Sequence, residues 1–178
     1  LVRMRPPGRT TAYSTYGITL AGELGEEVSG ESYEAYLARN VWKPLGMSRT
    51  CITVAQGWAR DVAVGYELEG DSLVAQPWEW YHTIPASSIN ATATDMAQFM
   101  LAHLGKGALH GGRILSAKAT GEMHRQQATM DPRLPGFALG FYEDYVGGLR
   151  VLEHGGNMAG FSALMVLIPE ANAGFFVV

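Results

Sequence analysis

The chain has 178 residues and a formal net charge of −4 at pH 7, with 47% of its residues hydrophobic and 17% charged. That length and balance suit one soluble globular domain with a real core and exclude an intrinsically disordered chain. No basic cluster marks a face for nucleic acid or an acidic membrane, and no apolar run reaches the roughly 18 residues of a spanning helix.

The lone cysteine, Cys51, has no partner for an internal disulfide. It reads as a small buried apolar residue and leaves the redox compartment open. The chain opens at Leu1 without a methionine and closes on the apolar run Gly174-Phe175-Phe176-Val177-Val178. Both ends lead to the expectation of a piece of a longer protein, incomplete on each side.

Residues 16–29 set Ile18, Ala21, Leu24 and Val28 at helical spacing, with Gly30 as a stop. Ser32 can cap a second helix that carries Glu34 in its first turn and Tyr33, Tyr36 and Leu37 along one side. Pro44 and Gly46 predict that this helix ends before Pro44. Residues 50–90 read as irregular, with short strand-like pieces and an aromatic patch of Trp78, Trp80 and Tyr81 ahead of Pro85. Thr92-Ala93-Thr94-Asp95 then looks like a capping box, with Asp95 as a cap rather than a catalytic acid. The helix it starts turns Met96, Phe99, Met100 and Leu104 toward a core. A shorter helix is expected after Ser116.

Beyond residue 137 the period changes. Residues 137–146, Gly147-Gly148 and residues 149–153 read as a β-hairpin with a glycine turn. Residues 161–168 are strongly β-prone, and Asn172-Ala173-Gly174 leads into a last strand. Helices first and an antiparallel meander second predict an α+β fold, helices against one sheet. We expect one domain over residues 1–178, helical over about 13–125 and sheet over about 137–178.

Two short segments could carry chemistry. Tyr13-Ser14-Thr15-Tyr16-Gly17 stands at a helix start, where backbone N–H groups and the helix dipole favour negative charge. A phenol, whose ordinary pKa is about 10, needs such an environment and a nearby ammonium to act as a base near neutrality. On spacing alone, the plainer reading is favoured: Tyr13 packs while Ser14 or Thr15 merely caps the helix. His154-Gly155-Gly156-Asn157 lies between two strands. Its glycines would let a ligand approach the backbone, and an edge strand there could offer the Asn157 N–H to a developing oxyanion. The plain alternative is a surface loop. His82, His103, His110 and His124 show no metal-binding spacing, so no metal is expected. Nucleophile-elbow, phosphate-loop and dinucleotide glycine motifs are absent from the sequence, and no cofactor is expected.

Together these segments resemble the class C β-lactamase family and its relatives, the penicillin-binding proteins and serine esterases. Tyr13-Ser14-Thr15 stands where the family has Tyr-x-Asn, and the family's Pro-Leu-Gly-Met follows as Pro44-Leu45-Gly46-Met47. Residues 85–97 look like the loop and helix behind the family's pocket. His154-Gly155-Gly156 falls at its Lys-Thr-Gly, often His-x-Gly in esterase-like members. The resemblance implies a β-lactamase/transpeptidase-like fold and a serine hydrolase that forms an acyl-enzyme. Tyr13 would serve as base and then acid, Thr15 as the second polar position, and His154 would face the substrate. Gly156 would give close approach and the Asn157 N–H half of the oxyanion hole.

Three departures qualify that likeness. The family's nucleophilic Ser-x-x-Lys occurs nowhere in the 178 residues, Thr15 replaces an amide, and His154 replaces a permanent cation. A segment before Leu1 is therefore expected to complete the site and the sheet, leaving this piece inactive alone, with exposed apolar surface and an open sheet edge. The implied substrate is a small ester, amide or peptide, with esterase or peptidase ranked above β-lactamase. The rival is a pocket protein that binds peptide or peptidoglycan fragments without turnover. Relatives are often exported or membrane-tethered. Tyr13 and His154 are expected on opposite walls of one cleft.

Overall fold

Ser14 starts the first helix. Its side chain accepts a hydrogen bond from the Gly17 N–H at 3.0 Å, filling one of the donors that a helix start leaves unpaired. Helix α1 spans Thr15–Ser29 and stops at Gly30, whose φ of 69° and N–H bond to the Glu26 carbonyl close the last turn. The computed structural model describes residues 6, 8 and 10–178; Leu1 lies outside them. Helix α1 buries only Gly22. A Cβ there would come within 2.4 Å of the Pro85 side chain, so the glycine lets α1 lie directly against α4 (Ile84–Ser87). Ile18, Leu24 and Val28 stay largely exposed, as expected of an apolar stripe without a partner.

The second helical run is longer than its sequence suggests. Helix α2 (Tyr33–Leu37), capped by Ser32, passes into a π-turn over Ala38–Trp42 and then α3 (Lys43–Leu45). Pro44 thus lies inside the run instead of ending it. The wide turn gives the physical reason: Lys43 reaches back five residues to Ala38, a winding that relieves the clash proline makes with a regular turn. Gly46 then ends the run in the left-handed conformation.

Residues 50–90 hold one hairpin, β1 (Tyr66–Glu69) and β2 (Ser72–Ala75). It is tied to the far sheet by a hydrogen bond from the Tyr66 N–H to the Gly160 carbonyl at 3.2 Å. Cys51 is buried and exchanges backbone hydrogen bonds with Asn90. Burial, and then the charge of Glu34, push its thiol pKa up, which keeps it unreactive.

Helix α5 (Ala93–Leu104) is capped by Thr92, which accepts from the Asp95 N–H. Asp95 itself is buried; its carboxylate takes the Arg49 N–H at 2.8 Å and the Thr50 hydroxyl at 2.7 Å. The expected cap is therefore Thr92, and Asp95 ties the loop after α3 to α5. A two-residue hairpin follows, β3 (Ala108–Leu109) with β4 (Gly112–Arg113), and then α6 (Ala117–His124) behind its Ser116 cap.

The main sheet is an antiparallel meander in the order β5-β6-β7-β8. Its strands are β5 (Tyr142–Val146), β6 (Leu149–Met158), β7 (Phe161–Ile168) and β8 (Ala173–Val177). Strand β5 starts at Tyr142, not at residue 137, because Gly140 at φ 80° breaks the extended run. One core joins Met100 of α5 to Phe141, Leu152, Met165 and Leu167, with Met96 and Phe99 packed against it. A second, on the other side of α5, joins Ala102 to Trp42, Leu45 and Met47. This is the α+β layering read from the sequence. Strand β8 ends the sheet with Phe175 and Val177 about half exposed. Among the described residues no helix is long and apolar enough to cross a membrane.

Candidate functional site

The start of α1 meets the main sheet at a cluster of three rings. Tyr13, the residue before the Ser14 cap, has its ring centroid 6.2 Å from that of His154 on β6. Both also adjoin Tyr142 at the head of β5: its centroid is 6.4 Å from Tyr13, nearly parallel at 25°, and 5.5 Å from His154. Tyr13 and His154 are thus brought side by side by a helix start and a central strand far apart in sequence.

His154-Gly155-Gly156-Asn157 is strand, not loop. Strand β6 runs on to Met158, with Gly156 opposite Ala163 and Asn157 opposite Ser162 of β7. On the other side, pairing with β5 stops at Glu153 opposite Tyr142. Residues 154–158 therefore form a local edge inside a four-stranded sheet, next to the rings. Nothing lies within 4 Å of where a Gly156 Cβ would sit, and its φ is not in the left-handed region. Neither packing nor backbone demands glycine there, and the open space leaves the strand approachable.

Ser14 supplies the α1 cap. Thr15 is the first residue of the helix, half-buried, and its carbonyl accepts from the Thr19 hydroxyl at 2.9 Å. Around the rings, burial and then the charge of Tyr13 push the Tyr142 phenol above its ordinary pKa. Tyr142 therefore keeps its proton at neutral pH.

Tyr142 is the ring beside the two candidate residues that motif reading missed. The signal was present: counting outward from Gly147-Gly148 pairs Val146 with Leu149 and Tyr142 with Glu153, beside His154. A cavity of about 290 Å³ between α1 and α2, lined by Ile18, Gly22, Tyr33 and Tyr36, includes none of the candidate residues. Among the described residues no group of three or more His, Cys, Asp or Glu side chains could hold a metal ion.

The start of α1 thus stands against an antiparallel sheet, with Tyr13 beside His154. The family model described as Beta-lactamase matches residues 1–178, and the chain belongs to that family. Among solved structures, the chain is similar to a class C β-lactamase, with a TM-score of 0.83 at 17% identity over 99% of this chain and 54% of that one. It is also similar to the D-amino acid amidase from Ochrobactrum anthropi SV3, with a TM-score of 0.76 at 24% identity over 97% of this chain and 50% of that one. Among curated proteins, Protein flp of Staphylococcus aureus (strain N315) is 23% identical over 172 residues, 96% of this chain and 33% of flp. The chain thus spans about a third of the length of that relative.

Proposed function

We propose that the full-length protein carrying this chain is a serine hydrolase that forms an acyl-enzyme on an ester or amide. The observation that supports the reading is the adjacency of the Tyr13 and His154 rings, 6.2 Å apart, at the open edge of β6. A serine from a segment outside this chain attacks the carbonyl carbon while its hydroxyl proton passes to the Tyr13 side-chain oxygen. The carbonyl oxygen gains the negative charge and is met by the Asn157 N–H, with Gly156 leaving room for the approach. Collapse of the adduct expels the alcohol or amine, which takes the proton back from Tyr13. Water then attacks the acyl-serine, Tyr13 again holding its proton, and releases the acid. Thr15 holds the second polar position beside Tyr13, and His154 faces the substrate. Because His154 lacks a permanent cation and Thr15 lacks an amide, esters and peptides rank above β-lactams.

The test is a fluorophosphonate serine label, with ester hydrolysis followed alongside. The full-length protein should be labelled and show a burst. The 178-residue chain should show neither, and Tyr13→Phe in the full-length protein should lower kcat by about 10²–10⁴-fold. Label on a serine of this chain would place the nucleophile here and overturn the scheme. An unlabelled full-length protein that still binds peptidoglycan fragments would favour the non-catalytic pocket instead.

A further inference from the structure

Tyr142 has no part in the proton transfers above, yet it touches both groups proposed to act. We propose that Tyr142 is a positioning residue that holds the Tyr13 ring against the sheet beside His154, an inference that rests on the serine-hydrolase reading.

Tyr13 needs such a support. It precedes the helix cap and is 56% exposed, so neither helix nor strand fixes its side chain. A tyrosine in that position samples several rotamers unless a neighbour selects one. A proton acceptor must be held close to its target geometry to be effective. The Tyr142 ring supplies a nearly parallel face at 6.4 Å, inside the range of offset aromatic pairs. Tyr142 is in turn well fixed. It opens β5 in register with Glu153, and its ring leans on Phe137 at 5.2 Å and His154 at 5.5 Å. A residue on a paired strand thus braces one that is on no element at all. The Tyr142 phenol is held above its usual pKa and keeps its proton at neutral pH. The ring, and not the hydroxyl, is what the brace requires.

That distinction fixes the experiment, made on the full-length protein with Tyr142→Phe and Tyr142→Val, the second chosen because valine suits a strand. Tyr142→Phe keeps the ring and should hold kcat within about twofold. Tyr142→Val removes it and should lower kcat by about ten- to a hundredfold, with KM nearly unchanged, as expected of a misplaced reacting group. NMR of ring-labelled tyrosine gives a readout independent of turnover. The Tyr13 signals should stay dispersed in wild type and Tyr142→Phe and move to averaged values in Tyr142→Val. Full activity of Tyr142→Val, or equal damage from both variants, would overturn the proposal, as would unmoved Tyr13 signals. If Tyr142→Val fails to fold, Tyr142→Leu takes its place with the same readouts, and a loss of kcat in Tyr142→Phe as large as about tenfold would overturn the proposal. If wild type hydrolyses nothing, the hydrolase reading falls, and the Tyr13 signals alone decide whether Tyr142 braces it.

Discussion

His154 stands where a lysine would keep a full charge at every pH of interest, and that difference has a size. At about 4 Å and an effective dielectric near 20, one unit charge attracts a carboxylate by roughly 4 kcal/mol before desolvation and salt are subtracted. If only a quarter survives, about 1 kcal/mol remains, or about fivefold in binding. Substituting His154→Lys in the full-length protein should therefore raise kcat/KM for a carboxylate-bearing substrate over its neutral analogue by about fivefold. The gain should shrink as salt is added. The check is that ratio in wild type and variant, at low and high ionic strength. A ratio that does not move would mean that His154 does not face the substrate.

At the scale of elements, α1 carries Tyr13 at its mouth and is held to α4 through Gly22. A Gly22→Ala methyl would meet Pro85 at 2.4 Å. Pro85 is a rigid ring in a short helix, so α1 must move; the expected cost is about 1–3 kcal/mol. Gly25→Ala, in the same helix with nothing within 4 Å, should instead stabilise by about 0.5–1 kcal/mol. Urea denaturation of the two variants should move in opposite directions; a shared direction would mean that Gly22 is not a contact point. The ends of α1 were legible because they depend on local chemistry, the Ser14 hydroxyl and the left-handed Gly30. The hairpin at Gly147-Gly148 was legible for the same reason. Pro44 misled because a π-turn, invisible to a period of 3.6, absorbed its clash. The His154 segment read as a loop because its strand pairs with β7 alone beyond Glu153, a fact of register rather than composition. Tyr13 and His154 were found by motif and expected at one cleft, whereas the Tyr142 ring beside both belongs to the tertiary fold.

Across the whole molecule, the joint between helices and sheet carries a pair of histidines, His103 buried and His124 half-buried, that should make it sensitive to acid. His103 of α5 and His124 of α6 share a hydrogen bond, Nδ1 to Nε2, at 3.0 Å. Phe99 and Phe141 pack on His103, and Phe141 on His124. Burial, and then the proximity of His124, lower the His103 pKa to about 4; burial and then Arg150 lower that of His124. Arg150 bonds the His124 carbonyl at 2.6 Å and pairs with the buried Glu143. Burial pushes the Glu143 carboxyl up, but bonds from Arg150, Gln126 and the Gly136 N–H outweigh it and hold it below its usual range. The signs agree. A base whose folded pKa is depressed binds fewer protons folded than unfolded, so stability falls as pH drops from 6.5 toward about 4. A carboxyl with a depressed folded pKa contributes stability that is lost as pH falls through that folded value. For His103, which is 3% exposed, the fall from 6.5 to about 4 corresponds to at most about 3 kcal/mol. Replacing both rings, His103→Leu with His124→Leu, removes the titrating pair without leaving a lone buried polar group. In the full-length protein that double variant should lose less stability than wild type between pH 6.5 and 4.5, by about 1–3 kcal/mol. Urea midpoints at several pH values, with NMR titration of the His103 ring, measure it. Parallel pH dependences in the two proteins would show that the acid sensitivity lies elsewhere, and a His103 ring that titrates near 6.5 would show that burial does not disfavour its charge.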